Sequence, residues 1–434
     1  MESKNKFSRV SGKTEKRKTG EILRKVLGKI TPTKKEMDSM KEAVSEFKKR
    51  VEKRIRELKI KAVVFIGGSF AKKTMISKEK YDIDFFIRFL GKEKGISELT
   101  KKILKDFKKK EISGSRNYFI IDKGKFFIEV IPTLNVNNPR KAENVTDLSY
   151  SHVNYIRKKT NSKILEEIKL AKAFCYANKC YGAESYIRGF SGYALELLVY
   201  HYGSFFKFIK AFEKIKDKTV IDIEKHFKNR NEVFIDVNDS KLKSPIILID
   251  PTYKSRNALA ALSYETFREF QKACKDFLRN PSEKFFELKS FDVEKFKIQT
   301  KKKKRDFAEI QIRTEKQEGD IAGTKLLKFY KHLISEVERN YKVKEKHFSY
   351  DGRKNADCFF AAERKKEIIF SGPSIKQEEN VKEFRKKHKI VFTKNGRIYA
   401  REKIKENLRE FLRSWKRKYE GKIKEMGISE MKIV

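Results

Sequence analysis

The sequence predicts a multidomain α+β protein, and three observations lead there. The chain has 434 residues, more than one ordinary hydrophobic core organises, so two to four domains are expected. Apolar runs of strand length gather in residues 62–132 and again beyond residue 305, with helix-period apolar spacing dominating between them. A charged stretch, residues 280–304, leads into the run TKKKKR and reads as a low-order junction between domains.

Composition narrows the partner. Hydrophobic residues make up 39% and aromatics 12%, enough to fold a chain in which 38% of residues are charged. Lys and Arg number 105 against 60 Asp and Glu, a formal charge of +45, so a polyanion is the expected partner. Codon bias toward A/T-rich triplets would raise Lys and Phe together, as the 35 Phe suggest, but it would raise Glu as well and leaves the imbalance unexplained. No apolar run reaches the ~18 residues of a membrane span, and the N-terminus lacks an apolar signal core, so a soluble cytoplasmic protein with no membrane partner is expected. The four cysteines, Cys175, Cys180, Cys274 and Cys358, lack zinc-finger spacing and read as reduced, buried thiols.

Taken in order, residues 1–34 form a basic extension whose first 20 or so positions read as a mobile arm. Residues 35–150 form a head. Met37, Met40, Ala43, Val44, Phe47, Val51 and Ile55 mark an amphipathic helix to Leu58. Strands follow at Ala62–Gly68 and Tyr81–Phe89, a helix at Ile96–Phe107, and two further strands within Asn117–Pro132. Residues 151–285 form a central helical domain. Its helices are a first with Ile164, Ile168, Ala171 and Cys175 on one face, then Phe190–His201, Phe205–Phe212 and Ala258–Phe277, with one short strand at Ile246–Asp250. His201, within an apolar run, reads as a core histidine. Residues 286–434 form an α/β body. Strands at 305–313, 357–363, 367–370, 389–392 and 396–400 alternate with helices at Leu326–Tyr341 and Val381–His388, and a helical tail at Ile404–Tyr419 closes the chain. That order fits a ferredoxin-like or RRM-like sheet, although the base-stacking aromatic pattern of an RRM is missing.

The chemistry concentrates in the head. Asp82 and Asp84 stand at i and i+2 of a strand and therefore project from one face. Glu129 lies in a neighbouring apolar strand, where an uncompensated carboxylate is expensive. Three converging carboxylates suit two Mg²⁺ ions, hard cations that share oxygen ligands with substrate phosphates. Gly67 and Gly68 let backbone approach a triphosphate, Ser69 offers donors, and Lys72 and Lys73 follow in the next turn. The pattern fits attack of a 3′-hydroxyl on the α-phosphate of a nucleoside triphosphate.

Gly68-Ser69 with Asp82, Asp84 and Glu129 resembles the DNA-polymerase-β-like nucleotidyltransferase superfamily. YGAESYIRGFSGYALELLVYHYGSF (Tyr181–Phe205) and ILIDPTYKSRNALAALS (Ile247–Ser263) are similar to the archaeal, class I CCA-adding enzymes, the tRNA nucleotidyltransferases. The resemblance runs from about residue 35 to near the C-terminus and weakens after residue 300. It implies a polymerase-β-like head and template-independent addition of the 3′-terminal C-C-A of tRNA from CTP and ATP. It also implies metal-binding roles for Asp82, Asp84 and Glu129; Glu is usual at the first of these places and Asp at the last, swaps that keep charge and change reach by one methylene. It implies nucleotide contacts for Gly68, Ser69, Lys72 (where Arg is usual), Ser149, His152, Lys172, Tyr181, Ser191 and Arg256, the last shared with RNA phosphate.

Five Lys/Arg clusters, at 108–110, 157–159, 301–305, 385–389 and 413–418, suggest a phosphate-tracking surface suited to the acceptor stem and T-arm of tRNA. Arg413, Trp415 and Lys416 of RSWKRKY are candidate tRNA contacts, with a core role for Trp415 as the alternative, and a homodimer is a candidate assembly. Two other functions share parts of this pattern: a template-independent polymerase adding A or U tails to RNA, and a catalytically silent tRNA-binding protein.

Overall fold

A computed structural model describes residues 17–91, 95–114, 116–136, 138–288, 290–404 and 406–434. The expected mobile arm falls largely on residues 1–16, outside the described residues. Residues 17–30 are helical instead, because Ile22, Leu23, Val26 and Leu27 recur on one face and pack on the central core. The chain divides into two compact units, residues 1–289 and 290–434.

After residues 17–30 the first unit continues with α1 (Lys34–Glu57), started by a capping box between Thr33 and Glu36. Its buried stripe of Met40, Val44, Phe47, Val51 and Ile55 lies on a five-stranded sheet. That sheet comprises β1 (Ala62–Ile66), β2 (Tyr81–Phe89), β3 (Lys110–Ile112), β4 (Tyr118–Asp122) and β5 (Phe126–Leu134) in the order β1-β2-β5-β4-β3, with the one-turn helix α2 (Gly68–Ala71) after β1 and α3 (Ile96–Ile103) after β2. Only β2 and β5 run parallel, side by side at its centre. Parallel neighbours need a crossover, which α3 and the β3–β4 hairpin supply.

The middle of the chain supplies α4 (Ser149–Lys159), α5 (Ser162–Ala177), α6 (Gly192–Tyr202), α7 (Phe205–Glu213), α8 (Arg230–Asp236) and α9 (Tyr264–Arg279). Phe174, Phe190, Phe205, Phe208, Phe212, Phe270 and Phe277 are wholly buried and interlock mostly edge to face or tilted, with Phe208 and Phe270 stacked. This part is less helical than expected: β6 (Thr219–Asp222), β7 (Ile246–Asp250) and β8 (Tyr253–Asn257) form a small sheet. The helix expected from Ala258 starts only at Tyr264, where the Ser263 hydroxyl caps Thr266 N–H. His201 is exposed, because the apolar face of α6 turns the other way. All four cysteines are buried and unpaired with one another.

In the second unit, part of the expected low-order junction is helix α10 (Val293–Lys302), capped by Asp292 and anchored by buried Phe296. Then come β9 (Asp306–Arg313), α11 (Asp320–Asn340), β10 (Tyr341–Tyr350), β11 (Asn355–Arg364), β12 (Ile368–Ser374), α12 (Glu378–Lys387), β13 (Val391–Lys394), β14 (Arg397–Glu402), α13 (Leu408–Lys418), α14 (Glu420–Glu425) and β15 (Glu430–Ile433). The order β10-β11-β9-β15, all antiparallel, is the ferredoxin-like order, but its membership differs from expectation. It recruits β10 and a closing strand, β15, while the expected strands β12, β13 and β14 pair only with one another in a separate sheet.

Candidate active site

Ile83, Phe85, Ile87, Ile128 and Val130 are wholly buried on one face of β2 and β5, which turns the alternate residues Asp82, Asp84 and Glu129 to the other face. In the parallel register Asp84 stands opposite Glu129. Three acids therefore share one face and repel. Burial, then the charges of Asp84 and Asp82, push the Glu129 carboxyl up to about 8. Asp84 is raised as well, by burial first and by Asp82, with Lys72 and Lys172 opposing. The Lys78 ammonium partly offsets the cluster, 3.2 Å from Asp82 Oδ2.

Among the described residues no set of three or more His, Cys, Asp or Glu side chains is already drawn into a metal cage. The donor chemistry nevertheless fits Mg²⁺: oxygen ligands only, two of them raised chiefly by burial and by the charge of neighbouring acids, and a cation type that takes one or two carboxylates plus substrate phosphates.

The loop before β2 is shaped around Asp84. Gly67 N–H donates to Asp84 carbonyl oxygen at 2.9 Å. Gly68 has φ +61°, and Ser69 follows half-buried in α2. Lys72 turns inward, its Nζ 2.6 Å from Glu196 Oε2. Lys172, on α5, reaches the same carboxylate at 2.8 Å, and Thr74 Oγ1 donates to it at 2.8 Å. Burial alone would raise Glu196, but Lys172 and Lys72 hold it down to about 2. Tyr181 and Ser191 complete this corner. The Tyr181 hydroxyl and Lys172 Nζ crowd Gly192, where a Cβ would lie 2.9 Å from the first and 3.8 Å from the second. Ser191 Oγ caps Ala194 N–H and starts α6.

A second buried acid organises the remaining candidates. Asp250, at the end of β7 and wholly buried, lies 2.9 Å from His152 Nε2 and accepts from Arg256 Nη1 at 2.6 Å and from the Tyr193 hydroxyl at 3.0 Å. Against the burial penalty, the hydrogen bond from His152 and the Arg256 charge hold Asp250 well below the usual carboxylate range. Burial lowers His152, against the support of Asp250, and its ring stacks 4.0 Å from the Tyr193 ring. Ser149 opens the same helix one turn before His152. Ser191 and Arg256 line a cleft of about 630 Å³ with Asn144, Leu148, Tyr253 and Asn257.

In the second unit, Arg413 is exposed and Lys416 half-buried on α13. Trp415 is only 6% exposed, packed on Phe329 and Tyr419, so it anchors its helix and offers no face for RNA bases. Lys303 and Arg305 are partly spent on Glu345, at 2.6 and 2.7 Å.

A family model described as tRNA nucleotidyltransferase, second domain, matches residues 166–287. The CCA-adding enzyme of Nanoarchaeum equitans (strain Kin4-M) is 34% identical over 343 residues, 78% of this chain and 83% of that protein. The chain belongs to the CCA-adding enzyme family. The CCA-adding enzyme of Methanocaldococcus jannaschii is 28% identical over 400 residues, 88% of this chain and 86% of that protein. Among solved structures, a cytoplasmic RNA terminal U-transferase superposes with TM-score 0.49 and 12% identity, covering 63% of this chain and 100% of that one.

For this CCA-adding family member, sequence reasoning missed Glu196, Asp250 and Tyr193. The available signals were a lone acid inside ALELLVY and an acid closing the buried run IILID. An acid surrounded by apolar residues demands a distant cation, and that demand was legible even though the partner was not.

Proposed function

We propose that this chain builds and repairs the 3′-terminal CCA of tRNA without a nucleic-acid template, using CTP and ATP. The observation that carries the reading is the common face of Asp82, Asp84 and Glu129 beside Lys72 and Lys172, in a chain of the CCA-adding family. The tRNA 3′-hydroxyl attacks the α-phosphorus; the new O–P bond forms as pyrophosphate leaves and the hydroxyl proton passes to solvent or a carboxylate. Mg²⁺ ions, when bound, supply charge neutralisation of the triphosphate and acidification of the attacking hydroxyl.

Asp82, Asp84 and Glu129 would hold those ions, their carboxylates already aligned on one face. Gly68 brings backbone close, Ser69 adds donors, and Lys72, Lys172 and the Tyr181 phenol face the triphosphate with charge and hydrogen bonds. Ser191 and the start of α6 contribute the positive end of a helix to the same anion. His152 and Ser149 contact ribose and triphosphate, and Arg256, held by Asp250, presents a planar fork to base edge or RNA phosphate. Basic residues, exposed Arg413 and half-buried Lys416 among them, track the acceptor stem and T-arm in the cytoplasm. No helix among the described residues is long and apolar enough to cross a membrane.

The test offers purified protein, with Mg²⁺, tRNA transcripts ending before the first C, after C and after C-C, each with single nucleotides. Ordered C, C, A addition that then stops is the expected result. Long A or U tails, or binding without extension, would overturn it.

A further inference from the structure

Glu196 sits in the middle of α6 with no exposed surface, flanked by Leu195 and Leu197. A carboxylate in such surroundings is costly unless it is paired and hydrogen-bonded. Its two oxygens go to one place. Oε2 accepts from Lys72 Nζ at 2.6 Å, while Oε1 accepts from Lys172 Nζ and Thr74 Oγ1, each at 2.8 Å. Lys172 Nζ also donates to Thr74 Oγ1 at 2.8 Å. Segments 124 and 24 residues away from Glu196 thus meet on it. Neither lysine has water to fall back on, since Lys72 is 8% exposed and Lys172 2%. Both ammonium charges are nevertheless felt at Asp84, so the cluster borders the carboxylate face.

We propose that Glu196 is a positioning residue for nucleotide addition: its carboxylate holds Lys72 and Lys172 side by side as ammonium ions, with their remaining N–H donors free for a nucleoside triphosphate tail. This rests on the nucleotidyl-transfer reading above. Each ammonium carries three donors. Lys72 spends one on Glu196, and Lys172 spends one on Glu196 and one on Thr74, so donors remain on both.

Two adjacent cations repel, and the carboxylate between them leaves one net positive charge on a preorganised pair. Burial, with Lys72 and Lys78 adding to it, already brings the Lys172 ammonium down to about 8 against the support of Glu196. The groups facing Lys172 are Glu196 from α6, Thr74, Lys72 and Lys78 from the loop before β2, Asp84 from β2, and the Tyr181 hydroxyl near Gly192. Without Glu196 the ammonium loses its main charge support, with burial, Lys72 and Lys78 against it and Asp84 for it, and a neutral amine attracts phosphate poorly. Triphosphate binding then has to bear the cost of reprotonation.

Full-length Glu196→Gln keeps the shape and removes the charge; Thr74→Val removes one link and keeps the charge. Calorimetric binding of CTP and ATP with Mg²⁺ is measured beside nucleotide addition to tRNA. For Glu196→Gln, Kd and KM for both nucleotides rise about tenfold or more, the scale of one lost charge-assisted hydrogen bond, while tRNA affinity stays at the wild-type value. For Thr74→Val the rise is about threefold. Unchanged or tighter nucleotide binding overturns the proposal, since Glu196 would then compete with the triphosphate for its lysines. A merely structural role lowers the active fraction and leaves KM unchanged, which also overturns it. If Glu196→Gln does not fold, the Thr74→Val KM decides alone. Wild-type protein that binds nucleotides but adds no C, C, A would sink the functional reading instead, so the two failures are distinguishable.

Discussion

Gly68 leaves no room for a side chain beside Asp84: a Cβ there would stand 1.6 Å from Asp84 Oδ2, with φ at +61°. A left-handed backbone costs an L-residue about 1 kcal/mol, and the clash adds to it by driving the carboxylate off its face. Gly68→Ala is therefore expected to lower CTP incorporation about 100-fold, since small misplacements of reacting groups cost that much, and to lower the melting temperature by a few degrees. Single-turnover addition to tRNA lacking CCA measures it. Near-wild-type turnover would show that the carboxylate tolerates displacement.

The shared face of Asp84 and Glu129 separates chemistry from RNA affinity. Asp84→Ala and Glu129→Gln should each reduce addition at least ~1000-fold, while filter-binding Kd for tRNA stays within about twofold, because long-range phosphate contacts supply most of that affinity. A matching loss of tRNA binding would move these carboxylates out of the chemical step.

Glu196 also sets an acid limit. Its folded-state pKa, about 2, lies below the ordinary 4.5, so the folded state binds fewer protons than the unfolded one in that window. The stabilisation is complete above about pH 4.5 and disappears as pH falls toward 2. The difference in urea midpoint between wild type and Glu196→Gln should be largest at neutral pH and shrink across that interval. A constant difference would mean that the carboxylate is not held ionised by Lys72 and Lys172.

How much of this was legible in the sequence follows from the range of the forces involved. Asp82 and Asp84 could be placed because strand alternation is local, and Glu129 because an acid between Ile128 and Val130 stands out. β10 was missed because, as an edge strand, its sequence YKVKEKHFSY carries lysines where a central strand would carry apolar residues. β8, YKSRN, has no apolar alternation at all; Asn257 pins it, its side chain accepting from Leu248 N–H and donating to the Lys241 carbonyl. The role of Glu196 was illegible because Lys72 lies 124 residues away; that of Asp250 because His152 lies 98 residues away and its nearer partner Arg256, six residues on, sits on β8, a strand without an apolar pattern.

The C-terminal basic helix offers the last test, because adjacent residues there should fail in different ways. Trp415 packs on Phe329 and Tyr419 and its indole N–H donates to Glu336 Oε2 at 3.3 Å. Removing so large a buried side chain costs about 3–5 kcal/mol, so Trp415→Ala should lower the urea midpoint clearly. The folded fraction should keep the salt dependence of tRNA binding. Arg413→Ala and Lys416→Ala should do the reverse: unchanged midpoint, weaker tRNA binding at low salt, and a slope of log K against log salt shallower by about 0.7–0.9 for each phosphate no longer neutralised. A Trp415→Ala protein with native stability but weakened tRNA binding would make the indole an RNA-binding group after all, and an unchanged slope in both basic variants would place the RNA path elsewhere.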